Sequence, residues 1–485
     1  MPELRCVSWL PTWLDAEELV RATVDSDDNA AVHHYGLRPR DGEWHPLAEG
    51  LRTAHEALRA LPVADIVAAL DETCVRWADR DHVHRVAARR DIVAATGFSP
   101  EAVDRSLDVE LGNYRAQTLN RVLRRELGDP RVLDGFRPDT ELDGSTVAVG
   151  PRVTTVVCSG NVPGLPALSV VRALLVKSAV LIKVASGEPS FTAHFLRTLA
   201  EVRPLLADAV VVTYWRSTDE HALRAAVDCA DAVIAYGSDT ACAAVRACTG
   251  PHQRYVEHGH KVSVGVVTQG YLGAVGLPEV ARRAAEDVST FNQHACIAPQ
   301  AYLVERGEVG ARDFAEALAH AMAEYAAGCP LGSVPPADAA ALQMRRAAAA
   351  WTAAGDPGRY GFWRSPGLDW TVTLAHGPVP VHGTGNRVIS VIPVDDARGV
   401  VTELRPLGTH VQNIGLGAVG DEFRSLAAEL ARLGACRISE PGRMASPSVI
   451  WRHDGMPCLA QLLRWCDIEM HREARPSTTA FRGQG

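Results

Sequence analysis

The sequence contains no CxxC pair, although it holds eleven cysteines, an odd number, scattered from Cys6 to Cys466 without regular spacing. That pattern excludes a zinc ribbon, gives no disulfide framework, and is expected of a chain kept in the reducing cytoplasm. No block of Lys and Arg is present and the formal net charge is −9, the opposite of what a binder that neutralises nucleic-acid phosphates needs. No uninterrupted apolar run is long enough for a membrane span: the most apolar stretch, residues 165–185, is broken by Arg172, Lys177 and Lys183. The start, MPELRCVSWLPTWLD, lacks the basic region and apolar core of a signal peptide. Internal repeats are absent as well. What remains is a chain of 485 residues with the apolar and charged fractions of a soluble globular protein, long enough for two or three packed units.

Up to about Gly144 the pattern reads as mainly helical and rich in charge, as in LRTAHEALRALPVADIVAALDETCVRWADR. Beyond it, short β-branched runs alternate with helical segments: TTVVC, AVLIKV, AVVVTYW, DAVIAY and KVSVGVV, with SFTAHFLRTLAEV and DTACAAVRAC among the helices. Ser217 and Glu220 have the spacing of a capping box. Such alternation predicts an α/β fold with a parallel sheet, often a nucleotide-binding one. From about residue 271 helices dominate, and a second αβ stretch runs through NRVISVIPV, THVQNIGLGAV and CRISE. The tail HREARPSTTAFRGQG has the composition of a frayed end.

One literal GxGxxG, Gly415 to Gly420, precedes the helical DEFRSLAAELARL, with Glu440 near the offset of a ribose-binding acid. The apolar residues run straight up to Gly420, however, so the stretch also reads as a strand followed by a turn and a helix start.

Four segments upstream of a lone cysteine, Cys296 in FNQHACIAPQ, carry groups suited to thioester or aldehyde chemistry. Asn161 in CSGNVPG ends a strand, where an amide can stabilise an oxyanion or merely make a turn. Lys183 ends the next strand, at the edge where ligands bind in open α/β sheets. Gly237-Ser238 precedes a helix and can either meet a pyrophosphate or simply cap the helix. Glu257, in YVEHGHK, is a candidate general base. Cys296 itself reads locally as either a core thiol or a nucleophile. His294 and Cys296 supply only two ligands, so no metal site is expected. Cys158, Cys242 and Cys248 sit in apolar contexts and read as core.

In order and spacing these segments resemble the aldehyde dehydrogenase superfamily over roughly residues 145–305. NVPG is similar to its oxyanion segment, LIKVAS to its Lys-Pro-Ser-Glu segment, YGS to its pyrophosphate turn, EHGHK to its Glu-Leu-Gly-Gly-Lys segment and FNQHAC to its nucleophile segment. SGNVPGLPALSVVRALLVKSAVLIKVASGEPSF, CIAPQ, YGFWRSPGLDWTVTL, PLGTHVQNIGL and CRISEPGRMA resemble the LuxC-type acyl-CoA reductases, which supply aldehyde to bacterial luciferase.

That resemblance implies an aldehyde-dehydrogenase-like α/β fold. A helical N-terminal region (1–144) would pack on a Rossmann-type dinucleotide-binding domain (145–270), followed by a catalytic domain (271–445) and a C-terminal segment and tail (446–485). It implies NAD(P)H-dependent reduction of an acyl thioester, on coenzyme A or a carrier protein, to the aldehyde. Cys296 would be the acyl acceptor, Asn161 and the Cys296 amide the oxyanion donors, Lys183 the ribose contact and Gly237-Ser238 the pyrophosphate contact. It also implies a homo-oligomer and an acyl-activating or acyl-transfer enzyme as partner.

Two departures matter. Ser186 stands where NAD-preferring relatives carry a glutamate, which favours NADPH over NADH, with Glu188 nearby as a contrary charge. GTGNRVISV replaces the Glu-x-Phe-Gly-Pro segment, leaving the nicotinamide-ribose contact unassigned. Oxidation of an aldehyde, or non-redox acyl transfer or thioester hydrolysis, would use the same cysteine. The acyl-pocket role open to YGFWRSPGLDW is equally open to a core role.

Overall fold

The computed structural model describes residues 3–15, 17, 19–24, 32–160, 162–383 and 385–469. The chain begins with strands, not helices. β1 (Glu3–Cys6), β2 (Leu19–Thr23) and β3 (Val32–Pro39) form a sheet in the order β1-β3-β2. LVRAT and VHHYGLRP alternate in burial, the two-residue period of a strand, which the helical texture downstream overshadows in the sequence. Five helices follow: α1 (Trp44–Arg59), α2 (Val63–Ala78), α3 (Val83–Thr96), α4 (Pro100–Leu111) and α5 (Ala116–Leu127). Their apolar faces share one core with the next sheet, where Trp77 packs edge-on against Phe191 at 5.4 Å and Trp44 against Trp215 at 5.7 Å.

Two short strands, β4 (Arg137–Asp139) and β5 (Gly144–Val149), lead into the first alternating unit. It comprises β6 (Val153–Val157), α6 (Leu165–Leu175), β7 (Ala179–Lys183), α7 (Phe191–Val202), α8 (Pro204–Asp208), β8 (Val210–Thr213), α9 (Glu220–Asp228), β9 (Ala232–Tyr236), α10 (Asp239–Cys248) and β10 (Arg254–His258). All five main strands run parallel in the order β10-β9-β6-β7-β8. β7, β8 and β9 are buried throughout, which is why AVLIK, VVVT and AVIAY are continuous apolar runs and not alternating ones. α9 is capped by Asp219, whose carboxylate accepts from Ala222 N at 3.0 Å, so the Ser217/Glu220 capping box does not form. Asp219 lies one residue before the helix and leaves the Ser217 hydroxyl outside the first turn.

Only three residues separate β10 from β11 (Val262–Val267), yet β11 belongs to a second sheet. KVSVGVV therefore opens the second unit and does not complete the first, contrary to the sequence expectation. A three-residue link leaves no room for a helical crossover back into the first sheet, so the chain steps across instead.

The second unit continues with α11 (Gln269–Val275), α12 (Leu277–Ser289), β12 (Pro299–Glu305), α13 (Ala311–Gly328), α14 (Pro336–Gly355), β13 (Gly361–Arg364), β14 (Thr371–Leu374), β15 (Val388–Val394), α15 (Ala397–Leu404), β16 (Val411–Gly417), α16 (Gly420–Leu433) and β17 (Arg437–Ser439). The sheet order is β13-β14-β15-β12-β11-β16-β17, antiparallel only between β13 and β14. β18 (Arg464–Ile468) returns to pair with β5. The tail from residue 470 lies outside the described residues. No helix among the described residues is long and apolar enough to cross a membrane.

The GxGxxG stretch is β16 running into α16. Its glycines make room for packing: a Cβ on Gly415 would sit 2.5 Å from Met444 Sδ, and one on Gly417 2.6 Å from the Tyr271 ring. Gly417→Ala is therefore expected to cost about 1–3 kcal/mol by overpacking, read as a lower urea midpoint, with the affinity for NADH or NADPH, whichever wild type binds, unchanged in a fluorescence titration. Lost affinity at unchanged stability would instead put a pyrophosphate at this turn.

Candidate active site

After α12 the backbone enters the left-handed region at three consecutive non-glycine residues, Phe291 (φ 54°), Asn292 (φ 49°) and Gln293 (φ 64°). Each costs roughly 1–2 kcal/mol, and the buried side chains around them supply the compensation. Arg387, fully buried and itself left-handed at φ 56°, donates to Asn292 Oδ1 at 3.0 and 2.7 Å and to Cys329 O at 2.8 Å. Gln293 donates to Pro299 O at 2.8 Å and Val388 O at 2.7 Å and accepts from Val388 N at 2.7 Å. Arg387 and Val388, from the segment left unassigned in the sequence, thus brace the turn that precedes Cys296.

Two further bonds tie that turn to the second sheet. Ser263 Oγ on β11 donates to Cys296 O at 2.7 Å, and Asn413 Nδ2 on β16 donates to Ile297 O at 2.9 Å. The result is an exposed Cys296 between buried Ala295 and Ile297. Its side chain reaches open space yet is walled by protein. That withdrawal from bulk water, followed by the negative charge of Asp454, pushes the thiol up to about 12, while nearby Gln412 acts in the opposite sense. Cys296 therefore rests as a thiol, and a nucleophilic role would require that it lose its proton.

Cys296 opens into a cavity of about 640 Å³ between the two sheets. One wall is built from the carboxyl ends of the first sheet: Ser159-Gly160, the loop 185–187, and Gly237-Ser238. Ser238 caps α10, its Oγ accepting from Ala241 N at 3.2 Å, so that helix starts at the cavity. Gly160 and Gly187 meet backbone to backbone, since a Cβ on Gly187 would lie 2.1 Å from Gly160 O. This wall suits a flat, anionic nucleotide: backbone amides at a helix start and little side-chain bulk.

The other sequence-derived residues are placed unevenly. Ser186 is exposed and lines the cavity. Lys183 ends β7 but is buried and does not line it; its Nζ sits 5.6 Å from the Tyr214 ring centroid, and burial lowers its pKa. Glu188 is turned inward, its Oε1 accepting from Ser190 N at 2.9 Å and Phe191 N at 3.0 Å at the start of α7. Glu257 is exposed and does not line the cavity, because alternation along β10 turns Val256 and His258 inward and Glu257 out. Asn161 lies outside the described residues. His294 lines the cavity, with Nε2 3.4 Å from Asn386 Oδ1. Cys158 and Cys242 are buried and Cys248 partly so. YGFWRSPGLDW supplies β13 and the loop that leads to β14, and contributes nothing to this cavity.

The sequence reading missed a group that the fold brings into the same cavity as Cys296. His258, at the end of β10, pairs through Nδ1 with Asp454 Oδ2 at 2.6 Å, and Gln412 Nε2 donates to Asp454 Oδ1 at 2.6 Å. The His258 ring is stacked between Tyr236 at 4.6 Å and His453 at 4.2 Å. Glu110 on α4 also lines the cavity, and burial pushes its carboxyl up to about 7. The alternation of RYVEH was the one local signal that His258 and not Glu257 faces inward.

The family model described as acyl-CoA reductase (LuxC) matches residues 58–465. The chain belongs to the LuxC family. It is 23% identical over 431 residues to long-chain acyl-protein thioester reductase 2 of Photobacterium leiognathi, covering 86% of this chain and 84% of that protein. With the long-chain acyl-protein thioester reductase of Aliivibrio fischeri it shares 24% over 406 residues, 81% and 80% of the two chains. Its fold is that of the aldehyde dehydrogenases. Aldehyde dehydrogenase 21 of Physcomitrella patens superposes with a TM-score of 0.72 at 13% identity over 98% of this chain and 99% of that one. An NAD-dependent benzaldehyde dehydrogenase of Corynebacterium glutamicum gives 0.67 at 15% over 95% and 100%.

In this LuxC-family chain the nucleophile turn depends on the Asn292–Arg387 contact. Asn292→Ala leaves a buried guanidinium short of its acceptor, and we expect a loss of about 2–4 kcal/mol in denaturant unfolding. Gln253→Ala, a change remote from the turn, should not alter the alkylation rate of Cys296, whereas Asn292→Ala should.

Proposed function

We propose that the chain reduces an acyl thioester, carried on coenzyme A or a carrier protein, to the aldehyde through a thioacyl intermediate on Cys296. The observation that carries this reading is the placement of Cys296, on a turn held in a strained conformation, in a cavity whose opposite wall fits a dinucleotide. Family membership and the names of the relatives support it. Sulfur attack on the thioester forms one C–S bond and breaks another, a nearly thermoneutral exchange. The acyl group remains a thioester and its carbonyl remains electrophilic.

Asn161 and the Cys296 backbone amide would hold the oxyanion. Gly237-Ser238 and the start of α10 would hold the pyrophosphate; Lys183, buried outside the cavity wall, would meet the adenosine ribose only if its side chain turned toward the cavity. A bound nicotinamide cofactor supplies the hydride. The turn fixes Cys296 so that the resulting thiohemiacetal collapses to aldehyde and free thiol. NADPH is the preferred cofactor in this reading: Ser186 presents no carboxylate to a 2′-phosphate, and Glu188 is occupied at the start of α7.

The direct test is to incubate the protein with radiolabelled acyl-CoAs of increasing length, locate the label on Cys296, and chase with NADPH or NADH while assaying aldehyde. Label should form, be absent in Cys296→Ala, and leave as aldehyde. Label leaving only as free acid would favour a thioesterase. Aldehyde formed only with NADH would remove the cofactor preference. Separately, Ser186→Glu should weaken NADPH binding at least tenfold, about 1.4 kcal/mol, with NADH affinity little changed in titrations of both cofactors.

A further inference from the structure

We propose that His258, held by Asp454, is the general base that takes the Cys296 thiol proton during attack and returns it to the departing thiol. The inference rests on Cys296 being the acyl acceptor. Because Nδ1 is bonded to a carboxylate at 2.6 Å, it carries the ring proton and Nε2 holds the free lone pair. Nε2 is buried and has no hydrogen-bond partner among the described residues. The ring lines the same cavity as Cys296. Gln412, which lines the same cavity, donates to Asp454 Oδ1 at 2.6 Å and holds the acid in place.

The acid is itself held in a costly conformation, Asp454 at φ 53°, the kind of local strain that the surrounding structure sustains at working sites. Stacking between Tyr236 and His453 fixes the plane of the His258 ring. Burial lowers the pKa of His258 below its ordinary value and the Asp454 carboxylate opposes this, while Arg172 and Lys261 act with the burial. Burial and the neighbouring His258 likewise lower the pKa of His453. The imidazole is therefore neutral, and able to accept a proton, at neutral pH.

The same three side chains, His258, His453 and Asp454, come close enough to suggest a metal site. The stacked rings argue against it. At an interplanar angle of 20° and a centroid separation of 4.2 Å, the nitrogen lone pairs point along two nearly parallel planes and do not converge on one ion.

In the proposed step the Cys296 Sγ–carbonyl bond forms, the bond from the carbonyl to the carrier sulfur breaks, and one proton passes from Sγ to His258 Nε2 and then to the carrier thiolate. No electron changes hands until hydride arrives. The transient imidazolium also lies beside Asp454, offsetting the charge that otherwise disfavours a thiolate at Cys296.

The test is rapid-quench acylation of Cys296 by radiolabelled myristoyl-CoA without nicotinamide, from pH 5 to 9, in wild type, His258→Gln and Asp454→Asn, with NADPH binding measured in each. His258→Gln should acylate roughly 10²–10⁴-fold more slowly at unchanged NADPH affinity, and imidazole added to His258→Ala should restore part of the rate. The wild-type rate should rise with pH to a plateau near neutrality, and Asp454→Asn should move that rise to lower pH. Acylation of His258→Gln within threefold of wild type overturns the assignment. If His258→Gln also loses NADPH binding, the Asp454→Asn profile decides, and an unmoved rise overturns it. A wild-type protein that takes no label from any acyl-CoA overturns the reductase reading itself.

Discussion

Three successive left-handed residues do not persist in a chain unless the structure around them leaves no alternative. At residues 291–293 that constraint is met by amide side chains whose partners come from distant places: Arg387 and Val388 at the start of β15, and Leu331 and Pro299 nearer in the fold. The turn faces Cys296 into open space while its neighbours on both sides are buried. Ser263 and Asn413 then tie the same turn to β11 and β16. Nucleophile position, second-sheet packing and the buried guanidinium are thus one mechanical unit.

The cavity exists because the chain crosses between sheets in three residues. β10 ends the first sheet at His258 and β11 starts the second at Val262, so the carboxyl edge of one sheet faces the Cys296 turn of the other. α4 closes one side with Glu110, and the segment after β17 closes another with Trp451, His453 and Asp454. Parts of the chain with no chemistry in their own sequence become walls of the site. The N-terminal helices take part in it because their core is continuous with that of the first sheet.

Electrostatics divides the cavity into two ends. The wall at the carboxyl ends of the first sheet offers backbone amides and little bulk, while the Cys296 end is withdrawn from bulk water and holds buried acids, and these together keep the thiol protonated. A cysteine kept as a thiol is protected from adventitious oxidation and alkylation, since the thiolate is the reactive form. In the proposed reaction it would gain reactivity only where a base and a substrate carbonyl are both present.

By itself the sequence determined the alternation of strands and helices, the buried character of the parallel strands, and the order of motifs that points to Cys296, because each depends on local period or on spacing along the chain. It also offered the reading of the GxGxxG stretch as a strand that gives way to a helix at Gly420, since apolar residues filled the motif up to that point. Tertiary structure decided which sheet β11 joins, that the first residues are strands, and that Glu257 faces outward while His258 faces in. It also paired His258 with an aspartate 196 residues later and gave Asn292 its arginine 95 residues on. Such pairings carry no local signal, because a hydrogen bond between distant side chains is set by how sheets and loops pack and not by the residues that flank each partner.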